Sequence, residues 1–141
     1  MKNKRGFTII EALVTTTILA LLAAFAIPGF LSSLERSKIR NMVDLISQSI
    51  MTAKSEALRR NIKIYLEVVA GDICVGTTSG GCDIRKEPLS SGINVSATKL
   101  VLSPFYGMPS PAPAIFTVSL SGLTQTVSIN KLGMITVGAM S

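Results

Sequence analysis

One carboxylate, Glu11, stands near the start of a long uncharged run, and this position makes it the first candidate for a chemical role. From Phe7 to Leu34 it is the only charged side chain. A carboxylate in a membrane span costs about 2.5–3.5 kcal/mol near the centre, less toward the ends, and normally has a partner. Cleavage after Gly6 would create an amine on Phe7, one helical turn from Glu11. In a neighbouring subunit offset by about a turn, that amine can neutralise Glu11; the alternative is a carboxylate that merely lies near lipid headgroups.

Cys74 and Cys82 are the second pair of residues whose spacing permits chemistry. They bracket a Gly-rich segment, 75–81, that can turn and bring two strand ends together. A disulfide is therefore predicted, and closing so short a loop contributes about 2–3 kcal/mol. Because disulfides persist in the periplasm and not in the cytosol, the pair agrees with an exported domain. The spacing is not the C-x-x-C of redox-active pairs.

Residues that could support catalysis or bind a metal are scarce. The chain has no His and two Cys in 141 residues, which leaves no His for acid-base chemistry and few ligands for zinc. Ser and Thr are plentiful, but a hydroxyl nucleophile needs a base to activate it. The Gly-rich segment 76–81 is followed by neither a Lys nor a helix pattern, so it does not match a phosphate-binding loop. We therefore expect no enzyme, no catalytic residue, no metal and no cofactor.

The element that carries Glu11 is long enough to cross a membrane. Ala12 to Leu34 are 23 uncharged residues, equivalent to about 35 Å of helix. Three basic residues precede it, as they also would in an ordinary secretory signal peptide. Such a peptide has a shorter apolar core and a small residue for cleavage after that core. Here the small residue is Gly6, and it precedes the core.

Periodicity in the rest of the chain predicts an α+β fold. Apolar residues at steps of three and four form a helical stripe that continues to about Arg60: Ile39, Val43, Ile46, Ile50, Ala53 and Ala57. Beyond Asn61 the period changes to two, which predicts a half-buried strand over 62–69. Shorter strands are predicted at 73–75, 93–95, 100–102, 115–120, 124–129 and 134–137. Turns at Ser121-Gly122 and Leu132-Gly133 would join the last three as an antiparallel meander.

The stretch from Ser103 to Pro113 is rich in proline and is predicted to be a loop. Its aromatic residues, Phe105 and Tyr106, either bind a partner or pack onto the sheet.

The segment Lys4–Leu13, which reads KRGFTIIEAL, resembles the leader and mature start of type IV pilins and pseudopilins. The resemblance implies that a prepilin peptidase cuts between Gly6 and Phe7 and methylates the Phe7 amine, and that Glu11 guides docking into a filament. It also implies other pilins and an inner-membrane assembly platform as partners. Pro28 lies where pilin helices often bend, and Gly29 adds backbone freedom beside it.

The run from Ala53 to Asn61, AKSEALRRN, resembles the GspH/FimT/FimU branch of minor pilins, whose long helix packs on a β-sandwich-like pair of small antiparallel sheets. The resemblance implies four divisions: a leader (1–6), a transmembrane and filament-core helix (7–34), an amphipathic helix half (35–61) and a periplasmic β-rich domain (62–141). It implies a single-pass inner-membrane protein that reaches a filament or the cell surface after assembly. The branch argues against a major pilin.

Two functions follow from this resemblance. The first is a minor pilin or pseudopilin that primes or joins a type IV pilus or a type II secretion filament. The second is a minor pilin that captures DNA in natural transformation. Relatives of that kind carry Gly-Arg-x-Arg near the C-terminus, where this chain reads Gly133-Met134-Ile135-Thr136, so both arginines are missing. A substitute DNA or partner contact would need four other cations: Arg85, Lys86, Lys99 and Lys131.

The net charge leaves this choice open. It is +6 overall, and loss of the three basic residues before Gly6 would halve the surplus to +3. A surplus of this size permits binding to nucleic acid or to an anionic surface and does not demand it.

Overall fold

The computed structural model describes residues 8–97 and 99–141. The predicted cleavage point, Gly6–Phe7, lies outside the described residues. The described chain divides after Leu34 into two compact units, 8–34 and Glu35–Ser141. One helix, α1 (Ile9–Arg60), contributes residues to both.

The first unit is the N-terminal part of α1. Its large apolar side chains are exposed all round the helix, from Ile9 to Leu34. Among the described residues, α1 is the one helix whose length and composition would let it cross a membrane. A helix that is apolar on every side is stable only in lipid or among other apolar helices.

In the second unit, the predicted apolar stripe of α1 is confirmed, since all six of its residues are buried. Met42 and Ser49 are buried beside them. The Ser49 hydroxyl donates to the Leu45 carbonyl oxygen at 2.8 Å, so its burial leaves no unpaired donor. This half of the helix therefore supplies one wall of the core.

The helix ends at Arg60 for local reasons. Asn61 adopts the left-handed conformation, with φ of 54°, which is a common way to terminate a helix. Arg59 and Arg60 both pair with Glu56, and cations in the last turn are favoured by the helix dipole. The predicted end of the helix is confirmed.

The described residues form nine strands: β1 (Ile64–Val69), β2 (Asp72–Gly76), β3 (Arg85–Pro88), β4 (Asn94–Ala97), β5 (Leu100–Leu102), β6 (Pro109–Ser110), β7 (Ala114–Leu120), β8 (Leu123–Ile129) and β9 (Ile135–Val137). They make a five-stranded sheet in the order β3-β2-β1-β5-β6 and a four-stranded sheet in the order β4-β7-β8-β9. Every pairing is antiparallel.

The predicted meander is confirmed, because β7, β8 and β9 pair in succession. Between β7 and β8, Ser121 and Gly122 have φ of 50° and 86°, the positive values that a tight two-residue hairpin turn needs.

Two sequence predictions were incomplete. The strand β3 was not predicted, because Arg-Lys-Glu-Pro shows no apolar alternation; charged residues and proline are typical of an exposed sheet edge. The stretch 103–113, predicted to be a loop throughout, contains the short strand β6, in which Pro109 pairs with Leu102. Edge strands are the positions in a sheet that accept proline.

One apolar core joins α1 to both sheets. Alternate residues of the strands point into it, as in β7, whose Phe116 and Val118 are buried while Ile115 is half exposed. The helix contributes its buried stripe and the five-stranded sheet contributes Leu66 and Leu100. The fold is therefore a helix packed on two small antiparallel sheets, and the predicted α+β class is confirmed.

Candidate functional site

Glu11 lies in the first turn of α1 with its side chain exposed. The helix begins after Thr8, whose hydroxyl accepts a hydrogen bond from the Glu11 backbone N–H at 3.3 Å. Thr followed three residues later by Glu is a helix-capping pattern, a signal in the sequence that the interpretation above missed. A carboxylate in the first turn is also favoured by the helix dipole. The candidate assembly residue therefore lies at a defined helix start and is accessible to a partner.

The predicted bend at Pro28 and Gly29 does not interrupt α1, whose range runs through both residues. Proline removes one backbone hydrogen bond from the helix, so this turn is weakened even where the helix continues. The bend therefore stays a prediction for the assembled filament.

Cys74 on β2 and Cys82 in the loop before β3 form the predicted disulfide, with Cα atoms 4.6 Å apart. A second link closes the same loop. The Asp83 carboxylate accepts hydrogen bonds from the Thr77 backbone N–H at 2.9 Å and from the Thr77 hydroxyl at 3.0 Å. The backbone hydrogen bond from Thr77 lowers the pKa of Asp83, because it stabilises the charged form.

Non-reducing peptide mapping is expected to find Cys74 joined to Cys82. Replacing both residues with Ser is expected to lower the free energy of unfolding by about 2–3 kcal/mol, because the constraint on the unfolded chain is lost. Urea unfolding of the oxidised protein and of the double variant measures this difference. Two free thiols in protein purified without reductant, or a double variant as stable as the parent protein, would contradict the expectation.

The four cations suggested for DNA or partner contact lie on three different parts of the fold. Arg85 and Lys86 are on the edge strand β3, Lys99 immediately precedes β5, and Lys131 is in the turn between β8 and β9 of the other sheet. Three of them pair with carboxylates: Arg85 with Glu87 at 3.0 Å, Lys86 with Asp72 at 3.1 Å and Lys99 with Glu67 at 3.2 Å. The paired cations have part of their charge balanced within the fold.

Lys54, on the polar face of α1, makes contacts that its residue type and its place in the helix do not predict. Its Nζ donates to the Gly133 carbonyl oxygen at 3.4 Å. A Cβ at Gly107 would lie 2.6 Å from the Lys54 Cγ, and one at Gly133 would lie 2.8 Å from its Nζ. The β5–β6 loop and the β8–β9 turn therefore meet over this side chain, and the two glycines allow the close approach.

Comparisons with known proteins agree with this architecture. A family model described as the prokaryotic N-terminal methylation motif matches residues 1–27. The type IV minor pilin FimU of Pseudomonas aeruginosa has a similar fold, with a TM-score of 0.63, 17% identity and coverage of 74% of this chain and 91% of that one. The minor pseudopilin EpsH from the type 2 secretion system of Vibrio cholerae gives a TM-score of 0.56, 10% identity and coverage of 72% and 97%. The chain therefore carries an N-terminal methylation motif and has the same kind of fold as these two proteins.

Proposed function

We propose that the chain is a non-catalytic filament subunit, acting as a minor pilin in a type IV pilus or as a minor pseudopilin in a type II secretion system. One observation carries the proposal: the N-terminal methylation motif overlaps the start of a long apolar helix, and the same helix forms part of a fold similar to that of the minor pilin FimU. Its partners would be other pilins or pseudopilins, the prepilin peptidase and the inner-membrane assembly platform.

In this proposal each part of the chain has one task. Residues 1–6 form the leader and 7–34 form the membrane and filament-core helix. Residues 35–61 form the amphipathic scaffold, and 62–141 form the periplasmic domain. The exposed apolar surface of α1 before Glu35 supports the second assignment, since an apolar helix surface can pass from lipid to the helices of neighbouring subunits at little cost.

Glu11 would act in assembly. Once the leader is removed, the amine on Phe7 of one subunit would neutralise Glu11 of its neighbour, and the pair would set the axial register. Glu11 is exposed in the first turn, which leaves its carboxylate accessible to a neighbouring subunit and supports this role. Once packed against that subunit, the charge pair would gain strength because water is excluded.

Capture of DNA has less support than assembly. Three of the four candidate cations are engaged by Glu87, Asp72 and Glu67, and a cation already balanced by a carboxylate contributes less to phosphate binding. We therefore do not extend the proposal to DNA.

The proposal is tested by the mass of the mature N-terminus. Protein purified from membranes is expected to begin with N-methyl-Phe7, because the peptidase would cut after Gly6. The matched control is the same protein from cells that lack the prepilin peptidase. In those cells the protein should keep its leader and should not be methylated. An intact leader in both strains, or cleavage after residue 20 or later, would refute the proposal.

A further inference from the structure

Three segments of the globular unit meet around Lys54 and expose large apolar side chains. Phe105 and Tyr106 immediately precede Gly107 and are 75% and 80% exposed, and Leu132 and Met134 flank Gly133 and are 76% and 59% exposed. Met51 of α1 is 60% exposed and lines a groove with Lys54 and Met134. We call these six residues, Met51, Lys54, Phe105, Tyr106, Leu132 and Met134, the Lys54 surface.

The two loops of the Lys54 surface are held by their own hydrogen bonds. In the β5–β6 loop, the Ser103 N–H donates to the Met108 carbonyl oxygen at 2.9 Å, and the Met108 N–H donates to the Phe105 carbonyl oxygen at 3.2 Å. In the β8–β9 turn, Asn130 Oδ1 accepts from the Leu132 and Met134 backbone N–H groups at 3.0 and 2.9 Å. Because the two loops are already ordered, binding a partner would cost little backbone entropy, which favours affinity.

Residue types and charge indicate the kind of partner. Contiguous exposed apolar side chains mark interaction sites, and aromatic residues and Met are enriched in protein interfaces. The loop segments 103–110 and 130–137 contain one charged residue, Lys131, and no acidic residue. Together with Lys54, which lies beneath them, these segments form an apolar surface that carries positive charge from two lysines. Such a surface fits a partner with carboxylates beside apolar side chains.

We propose that the Lys54 surface binds the globular domain of a neighbouring filament subunit that presents carboxylates beside an apolar surface; this rests on the proposed function. Nucleic acid fits less well. Phosphate binding strengthens with each cation engaged, and the surface has one lysine, with Lys131 beside it in the β8–β9 turn, against five exposed apolar side chains. The Lys54 surface would therefore select the lateral neighbour, while Glu11 sets axial position.

Photo-crosslinking of the full-length protein in its own cells tests this inference. A benzophenone amino acid at Phe105 is expected to give an adduct with another pilin-like subunit. The same probe at Pro88, an exposed residue on β3 at the opposite edge of the five-stranded sheet, is the matched control and should give little of that adduct. Adding Leu132→Ser or Lys131→Glu to the Phe105 probe should lower the yield about tenfold, the loss expected for one interface anchor. Ile62→Ser, an exposed apolar residue outside the surface, should not lower it.

Each outcome bears on the inference. An equal adduct from Pro88, an adduct with DNA or lipid, or a yield insensitive to Leu132→Ser and Lys131→Glu would overturn it. If the wild-type protein is found in sheared filaments while Phe105 gives no subunit adduct, the inference fails and the proposed function stands. If the wild-type protein is absent from filaments, both fail. Protease resistance of each variant, expected to match the parent protein, shows that loss of the adduct is not loss of folding.

Discussion

Replacing Glu11 with Val or Gln is expected to leave the protein in the membrane at wild-type abundance and to reduce its recovery in filaments at least about tenfold. Removing one partner of a buried ion pair leaves an uncompensated charge at a cost of about 3–5 kcal/mol; in the proposed pair this charge would be the Phe7 amine of a neighbouring subunit. Insertion should be unaffected or easier, since Val lacks the carboxylate that penalises a membrane span. Comparing membrane abundance with the amount in sheared filaments measures the effect.

The matched control for this experiment is Glu11→Asp, which shortens the side chain and keeps the charge. We expect Asp to retain more filament entry than Gln, because charge and not side-chain length dominates the interaction. Wild-type recovery of Glu11→Val and Glu11→Gln in filaments would show that the carboxylate has no part in assembly.

Phe116→Ala is expected to destabilise the globular unit by about 3–5 kcal/mol, the usual cost of emptying a buried aromatic site. Phe116 is 1% exposed and lies on β7 within the core that joins the helix to both sheets. Since domains of this kind are stable by only about 5–15 kcal/mol, the variant should be degraded faster than the parent protein in cells. Urea unfolding followed by protease resistance, on oxidised full-length protein in detergent, measures the loss.

Ile115→Ala is the matched control, because Ile115 is the preceding residue on the same strand and is 49% exposed. Its expected cost is within about 1 kcal/mol, as for most surface substitutions. Equal destabilisation by the two substitutions would mean that the assigned inward face of β7 is wrong.

The sequence was sufficient for the parts of the fold that repeat a simple pattern. The helical stripe from Ile39 to Ala57 was predictable because apolar residues must recur every three or four positions for one face of a helix to contact the core. The hairpin at Ser121-Gly122 was predictable because tight turns demand residues that tolerate positive φ. The disulfide was predictable because its two Cys bracket a short turn-rich loop in a chain with no other Cys.

Features set by tertiary contact were not predictable in this way. The strand β3 has no apolar alternation, so its place beside β2 depends on backbone pairing at a sheet edge. Lys54 looks like any other lysine of a polar helix face until the fold brings Gly107 and Gly133 against it. The separation of the adjacent Arg85 and Lys86 from Lys99 and from Lys131 likewise follows from strand order, which residue types alone do not specify.

The most direct test of the filament role is quantitative mass spectrometry of sheared filaments or of the purified secretion pseudopilus. We expect peptides of this chain at a low ratio to the major subunit, and we expect its N-terminal peptide to begin with methylated Phe7 and to contain Glu11. Absence of the chain from filaments in which the major subunit is abundant, or its presence only with residues 1–6 still attached, would contradict the account.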